Sequence, residues 1–533
     1  MHPRLLAAAL VVALGTTAPL LQAQRSPDGG APAAPTTRDS ALHVLERLAY
    51  GPRPGEVARV AHLGIARWVD QQLHPEALSD GGLGAAGVLD YDRASWAGIY
   101  VAALRERHQR LRAATTPADT AMAGPAERRA RELAGRYLTL TLARAAQSER
   151  QLDEILVDFW ANHFNVLYTK GADRFLLPDY IEHGIRPHVL GRFADLLVAT
   201  AESPAMLFYL DNWESVAPGA EPPAWRGLAA LLGTGAARQR PQGLNENYAR
   251  ELLELHTLGV DGGYTQQDVI EVARIFTGWS IARPFRGGGF EFHAWAHDYG
   301  PKVVLGVAYP GGHGMDEGVR LLDWLARQPA TMHHVSRQLC QRFVSDDPPD
   351  GCVDDAVAAW RRSDGDLREV VRAIVTGPDF WAAAAWNGKT KTPLGFLVSA
   401  LRALDAQLDT SPRLPRVLAR LGEPLYLHTA PDGYPDTTQA WVNSGALLDR
   451  MNVAVALAAD RLPGAAVDLD ALIAPTEDLD ALVEAVDDRI LAGTMTATTR
   501  RVIREEAANT TGPIQARALA IGLALGGPEF QRR

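Results

Sequence analysis

The stretch from Asn245 to Trp279, NENYARELLELHTLGVDGGYTQQDVIEVARIFTGW, decides the fold class of this chain. Asn245 is a favourable residue for capping the start of a helix, and Gly259 falls where the residue after a helix commonly lies. Thr265, followed by Asp268 three residues later, predicts a second capped helix. The stretch therefore predicts two helices joined by a glycine-rich turn at the centre of a mainly α protein.

The first of these helices carries several ionisable side chains on an apolar background. Glu246, Arg250 and Glu254 are spaced four residues apart, which predicts a ladder of ion pairs along one face. Glu251 lies on an adjacent strip, and His256 lies well round the helix from Glu254. Two interpretations stay open. The charges are either a structural face with a core histidine, or Glu246, Glu251, Glu254 and His256 are catalytic acids and bases.

Three residues elsewhere are candidate ligands for a divalent metal ion. His163 lies on an apolar helical stripe, where a histidine is either a hydrogen-bonded core residue or a ligand. His293 and His297 would point the same way if their segment were a strand. Asp298 could then orient the His297 ring through its second nitrogen. The alternative at this segment is a loop with exposed histidines.

Hydrophobic periodicity outside these motifs predicts a mainly α fold, a multi-helix body with one small β-hairpin insertion. Residues 290–295 alternate between apolar and polar, and residues 303–306 could pair with them, which gives a small β element at 290–306. The predicted organisation is a main helical domain at 39–461 and a C-terminal helical subdomain at 462–533. A proline- and glycine-rich loop insertion is predicted at 215–243.

The N-terminus predicts export. Residues 1–23 combine a short positive start, an apolar run and a small-residue cleavage site, as in a secretory signal peptide. Residues 24–38 are rich in proline, glycine, alanine and threonine, which predicts a flexible leader. No later run is apolar and long enough to span a bilayer. The mature protein is therefore expected in the periplasm or outside the cell, with no membrane span after signal cleavage.

Composition and missing motifs exclude several classes of function. The net charge of -10 argues against a nucleic-acid partner, because such proteins need a basic surface to neutralise phosphates. Gly-x-Ser-x-Gly, phosphate-loop and dinucleotide-binding patterns are missing, which disfavours acyl hydrolases and nucleotide-dependent enzymes. Cys340 and Cys352 could pair in an oxidising compartment or stay as two thiols.

Several long motifs in a fixed order resemble the bacterial family known as domain of unknown function 1800. The matching segments are ALHVLERLAYGPRPGEV, WVDQQLHP, LVDFWANHFNV, SPAMLFYLDN, the central stretch, HDYGPKVVLG, LLDWLARQPAT, RFVSDDPP, KTPLGFLVSALRAL, LGEPLYLHTAPDGYP and AWVNSGALLDRMN. Ala161 and Gln328 stand where family members often have histidine. Tyr434 follows Gly433 where the family usually has tryptophan.

The resemblance implies an exported, mainly helical protein that works beside a co-encoded exported protein of a sulfatase-like or phosphatase-like family. It supplies no established reaction. We therefore carry two hypotheses from the sequence. One is an enzyme that uses a metal ion, or carboxylates and imidazoles, on an envelope or extracellular polymer such as a polysaccharide. The other is a non-catalytic exported scaffold or binding protein.

Overall fold

The computed structural model describes residues 35–79, 92–113, 123–220 and 243–533. The predicted signal peptide at 1–23, most of the predicted leader and residues 221–242 of the predicted loop insertion lie outside the described residues. Within them the chain is mainly α-helical, as the sequence predicts. In the part of the chain that the structure describes, no helix is long and apolar enough to cross a membrane.

The described part of the N-terminal half begins with a capped helix. Thr36 accepts a hydrogen bond from the backbone N–H of Asp39, and the Asp39 carboxylate accepts one from the Thr36 N–H, so the helix starts inside the predicted leader. The helices of this half are α1 Thr37–Leu48, α2 Glu56–Leu63, α3 Ile65–Leu73, α4 Arg93–Ala113, α5 Pro125–Gln147, α6 Gln151–His163, α7 Asp173–Asp179, α8 Phe193–Ala201 and α9 Pro204–Tyr209.

The central stretch forms the predicted pair of helices, with one difference. Helix α10, Asn247–Glu251, continues as a π-helical segment over Leu252–Thr257 before the turn at Gly259. Helix α11, Gln266–Ile275, starts at the capping box formed by Thr265 and Asp268. A π-helical turn holds one more residue than an α-helical turn, so it rotates Glu254 and His256 away from the positions that regular helical spacing predicts.

The predicted pairing of the β element is wrong, although small hairpins are present. Strand β1, Trp279–Ile281, pairs with β2, Phe290–Phe292, and strand β3, Lys302–Val304, pairs with β4, Val307–Tyr309. Leu305 and Gly306 both have positive φ, which closes β3 and β4 as a two-residue hairpin. A third pair joins β5, Gln407–Leu408, to β6, Ala465–Ala466.

The C-terminal half is again helical. Its helices are α12 Asp316–Ala326, α13 Pro329–Phe343, α14 Asp350–Ser363, α15 Leu367–Thr376, α16 Pro378–Trp381, α17 Pro393–Ala403, α18 Arg413–Arg420, α19 Thr438–Trp441, α20 Ser444–Ala458, α21 Leu469–Leu472, α22 Leu479–Ile490, α23 Ala497–Ala508, α24 Pro513–Gly526 and α25 Pro528–Gln531. Helix α24 packs along α20. The residue Thr390 pairs with Arg532 in an isolated bridge, which holds the last residues beside the start of α17.

Two features fix the helices around the centre. One continuous hydrophobic core includes residues from α1 to α25. Helices α6 and α13 both contribute side chains to it, so packing fixes their positions. Cys340 and Cys352 are joined in a disulfide bond, which links α13 to α14. The side chains described next project from α6, from α13 and from the segment between α18 and α19.

Candidate functional site

A polar cleft of about 190 Å³ lies where α6, α13 and the 421–437 segment meet. Its lining combines carboxylates, amides, imidazoles and aromatic rings. The lining residues are Asp158, Phe159, Asn162, His163, Leu255, His334, Gln338, Gln341, Arg342, Thr392, Glu423, Asp432, Tyr434, Pro435 and Asp436. A smaller cavity, lined in part by Asp158, Asn162, Glu423 and Tyr434, shares this wall.

Helical spacing places the α6 side chains along one side of the cleft. Asp158 and Asn162 are four residues apart, as are Phe159 and His163, and all four line the cleft. Helix α13 repeats this pattern with His334, Gln338 and Arg342. Each wall is therefore a rigid helical face.

Glu423 supplies a buried carboxyl group to the cleft. Its side chain accepts a hydrogen bond from the backbone N–H of Leu394, at 2.7 Å. Burial is the main cause that raises the pKa of Glu423 to about 8, and the negative charge of Asp158 raises it further. The carboxyl group is therefore protonated at neutral pH and can donate a proton or a hydrogen bond.

Asp158 is a second carboxyl group in a different environment. Burial raises its pKa, whereas the positive charge of Arg342 opposes that rise. The guanidinium of Arg342 lies 3.2 Å from Asp158 and 3.5 Å from Asp436. Arg533 lies 3.1 Å from the same Asp436 carboxylate, so the two acids and two arginines form one network. These guanidinium groups favour the ionised form of Asp158, but burial, together with the negative charge of Asp436, still leaves its pKa above the usual value.

A glycine turn carries Tyr434 to the edge of the cleft. Gly433 has φ +71°, and a Cβ atom there would lie 2.3 Å from the carbonyl oxygen of Asn162. The next N–H, that of Tyr434, donates to Asn162 Oδ1 at 3.1 Å. The Tyr434 hydroxyl donates to the carbonyl of Pro424 at 2.9 Å. Only glycine allows this close approach of turn and helix without strain.

The π-helical segment presents two carbonyl groups to histidines of the cleft. His163 Nε2 lies 3.2 Å from the carbonyl oxygen of His256, and His334 Nε2 lies 3.3 Å from that of Leu255. These carbonyls belong to the end of the segment, where helical backbone lacks partners of its own. Burial lowers the pKa of His163 to about 4, so its ring is neutral. Gly259 leaves room for the His334 ring, which lies 2.9 Å from the Cβ that another residue would add.

The predicted catalytic residues of the central stretch lie in several environments. Glu246 accepts from Arg250 at 3.2 Å, as the predicted ladder requires. Glu254 instead accepts from the Tyr264 hydroxyl at 3.4 Å, and among the described residues no ion pair joins it to Arg250. Burial and the nearby Glu254 charge raise the pKa of Glu251. None of the three carboxylates lines the cleft among its described residues.

The predicted His256 is a buried ring. The His256 ring packs against Phe164, with the two ring centroids 5.0 Å apart. Its centroid lies 6.1 Å from that of the His163 ring. Burial lowers its pKa well below the usual value, so the ring is neutral. Its backbone carbonyl, rather than its ring, contacts the histidine that lines the cleft.

The predicted metal ligands are distributed over two places. His163 lines the cleft, whereas His297 and Asp298 lie beside α11, away from it. Residues Ala294–Ala296 form a 3-10 turn, so His293 and His297 do not share a strand. Asp298 binds Arg274 at 2.8 Å rather than orienting His297. Within the described residues, no three histidine, cysteine, aspartate or glutamate side chains are grouped to hold a metal ion.

His297 belongs to a buried charged group of its own. Its Nδ1 donates to the carbonyl of Thr277 at 2.8 Å, and its Nε2 lies 3.7 Å from Glu317. Lys302 binds the same Glu317 carboxylate at 2.6 Å, and all three side chains are fully buried. A buried group of this kind, closed off from solvent, fits a structural role.

Asp158 and Glu423, the two carboxyl groups of the proposed chemistry, are not among the site residues that the sequence predicts. Asp158 and Glu423 lie 265 residues apart, and neither belongs to a local motif with a known chemical role. Asp158 stands four residues before Asn162 on the stripe that contains His163, which was the available signal. Glu423 stands between Gly422 and Pro424, two residues that favour turns, and its burial could not be inferred from that position.

Comparison with protein families identifies a match over nearly the whole chain. The family model described as "Protein of unknown function (DUF1800)" matches residues 43–532, which is nearly the whole chain. No curated protein matches the chain, and no solved structure matches it. The family description assigns no reaction, so the function is argued from the cleft.

Proposed function

The chain belongs to the DUF1800 family of proteins of unknown function, and we propose that it is an exported hydrolase that cleaves glycosidic bonds in an envelope or extracellular polysaccharide. The observation that carries this proposal is the pair of carboxyl groups in the cleft. Glu423 has a pKa of about 8, whereas Asp158 is bound to Arg342. Two carboxyl groups with such different environments suit the roles of acid and base.

Glycosidic hydrolysis needs a proton on the leaving oxygen and a base for water. The Glu423 carboxyl would donate its proton to that oxygen as the carbon–oxygen bond breaks. The Asp158 carboxylate would accept a proton from the water whose oxygen bonds to the sugar carbon. One proton leaves Glu423 and one arrives at Asp158, so exchange with solvent restores both groups.

The other groups in the cleft suit a neutral, hydroxyl-rich substrate. The amides of Asn162, Gln338 and Gln341 can donate to and accept from hydroxyl groups. Phe159 and Tyr434 offer apolar ring surface to the carbon face of a sugar. The volume of about 190 Å³ is small beside ordinary drug-sized pockets, and it suits one sugar ring of a longer chain.

The charges of the cleft favour neutral over polyanionic substrates. Asp158, Asp432 and Asp436 are acidic lining residues, and Arg342 is the single basic one apart from the histidines in the described lining. Arg342 is already shared between two of these carboxylates. A phosphate-rich or sulfate-rich polymer would therefore meet repulsion at this site.

Export remains part of the proposal and has separate support. A disulfide such as Cys340–Cys352 persists in oxidising compartments and is rare in the cytosol. The predicted signal peptide leads to the same compartment. The sulfatase-like partner rests on family resemblance alone.

The test is the release of reducing ends from a panel of neutral polysaccharides. We expect Glu423→Gln and Asp158→Asn each to lower the rate by about 10²-fold or more, because each removes one proton-transfer group. Glu202→Gln is the matched control, since Glu202 also has a pKa raised by burial but lies outside the described cleft lining. Full activity of Glu423→Gln would overturn the proposed acid.

The expected pH profile adds a second readout. The rate should fall above about pH 8 as Glu423 ionises, and it should fall at acidic pH as Asp158 becomes protonated. In the scaffold alternative, the wild type would bind an oligosaccharide and release no reducing ends from any polymer in the panel. That result would favour a binding protein over the enzyme.

A further inference from the structure

A second and larger cavity, of about 440 Å³, lies between α4, α5, α7 and α18. The segment 424–427 forms part of its wall. Its volume is in the range of pockets that hold small organic ligands. The residues that line this cavity differ from those of the polar cleft, and the proposal made for it does not depend on the function proposed for the cleft.

The inner surface of this cavity is apolar and aromatic. Trp96, Leu133 and Phe175 are buried residues that line it, and Tyr100 lies against Phe175 with ring centroids 5.4 Å apart. Pro415 on α18 completes the opposite side. Burying an apolar group here would remove both surfaces from water, which is favourable in proportion to the area covered.

The rim of the same cavity is positively charged. Arg107, Arg131, Arg174 and Arg416 line it, and all four are exposed. Glu127 is the single carboxylate among the described lining residues, and it is bound by Arg110 at 2.6 Å. The positive charge of the rim is therefore not neutralised by the lining of the cavity.

The rim arginines also have few partners of their own. Among the residues that the structure describes, Arg107, Arg131 and Arg416 have no carboxylate within 4.0 Å. Arg174 donates to the carbonyl of Thr169 at 3.2 Å, and its guanidinium lies 5.9 Å from the Tyr100 ring centre. Their donors are thus available to an anionic group at the mouth of the cavity.

We propose that this cavity binds an amphipathic anion, a molecule of the fatty-acid class with one apolar chain and one anionic head group. The chain lies against Ile99, Tyr100, Leu104 and Leu138, lining residues that are partly or fully exposed, and the head group meets the arginines of the rim. The apolar lining and the arginine rim are both needed to specify this class of ligand. An uncharged apolar molecule would leave the arginines of the rim without an anion, and a small anion would leave Ile99, Tyr100 and Leu104 in contact with water.

The test uses dodecanoate, with dodecanol as its uncharged counterpart, both below the concentration at which dodecanoate forms micelles. Binding is measured on the full chain by isothermal titration calorimetry. The double variant Arg107→Gln, Arg416→Gln should weaken dodecanoate binding about tenfold, at about threefold for each lost charge, and leave dodecanol binding unchanged. The matched control is Arg105→Gln, Arg420→Gln, which removes two arginines from the same helices outside the described lining.

A blocking variant tests the apolar half. Ala134→Trp fills space from the α5 wall and should abolish binding of both ligands, with circular dichroism and the melting temperature recorded to confirm folding. Equal losses in the two arginine pairs would overturn the proposal, as would dodecanoate binding that survives in folded Ala134→Trp. Absence of dodecanoate binding to the wild type would also overturn it.

Discussion

Replacing Glu423 by glutamine should make the protein less sensitive to alkaline pH. The carboxyl is buried, and its pKa is raised from 4.5 to about 8. A group with a raised pKa in the folded state stabilises that state below its unfolded pKa, and the contribution disappears as pH rises through the folded value. Since each pKa unit corresponds to about 1.4 kcal/mol, the full change is about 5 kcal/mol. Glutamine keeps an oxygen that can accept from Leu394 and does not titrate.

Urea unfolding, followed by tryptophan fluorescence, measures this difference. The free energy of unfolding of both proteins is compared at half-unit steps from pH 4.5 to 9, so that all other titrating groups cancel. The wild type should lose stability relative to Glu423→Gln by about 1.4 kcal/mol per pH unit between about pH 4.5 and 8. Parallel curves for the two proteins would refute the claim that Glu423 is a neutral acid in the folded state.

Three further predictions concern the frame around the cleft. Gly433→Ala should destabilise the protein by about 1–3 kcal/mol, because the new Cβ would clash with the backbone of Asn162. Gly422 also has positive φ but has open space around it, so Gly422→Ala should cost less. The melting temperatures of the two variants test this difference. Glu317→Ala should cost about 3–5 kcal/mol in urea unfolding by leaving Lys302 buried without its partner, and an unchanged urea midpoint would contradict that. Reducing the Cys340–Cys352 disulfide should lower stability by about 3 kcal/mol in the same assay, and equal oxidised and reduced midpoints would disprove this.

Local signals in the sequence predicted local structure well. The box formed by Thr265 and Asp268 starts a helix as predicted, and Gly259 ends the preceding segment with positive φ. Asn245 lies one residue before the observed cap, yet its side chain still accepts from the Asn247 N–H at 2.9 Å. Such signals act within a single turn of backbone, so they are visible in a short window of sequence.

Features that depend on distant segments were not predictable in the same way. The π-helical segment at Leu252–Thr257 has a sequence that suits an ordinary helix, and its geometry accompanies contacts from His163 and His334. The strand at Phe290–Phe292 pairs with the preceding strand, Trp279–Ile281, in which Trp279 is fully buried in the core. Tertiary packing decided both outcomes.

The candidate site shows the same limit. His163 was selected from its own stripe and does line the cleft, whereas the carboxylates of the central helix face other environments. Sequence spacing shows which residues share a face of the same helix or strand, but it does not show which distant segments meet. The pairing of Asp158 with Glu423 arises from two segments brought together by the core, and its chemistry depends on burial that no short pattern reports.

The most direct test of the account is the protonation state of Glu423 itself. Infrared difference spectra of wild type minus Glu423→Gln, recorded from pH 5 to 9, isolate the carbonyl stretch of one protonated carboxyl group. If Glu423 is the neutral acid of the cleft, this band should be present at pH 7 and titrate away with a pKa of about 8. A band that is already lost by pH 6 would show an ionised Glu423, and the proposed acid of the cleft would have to be abandoned.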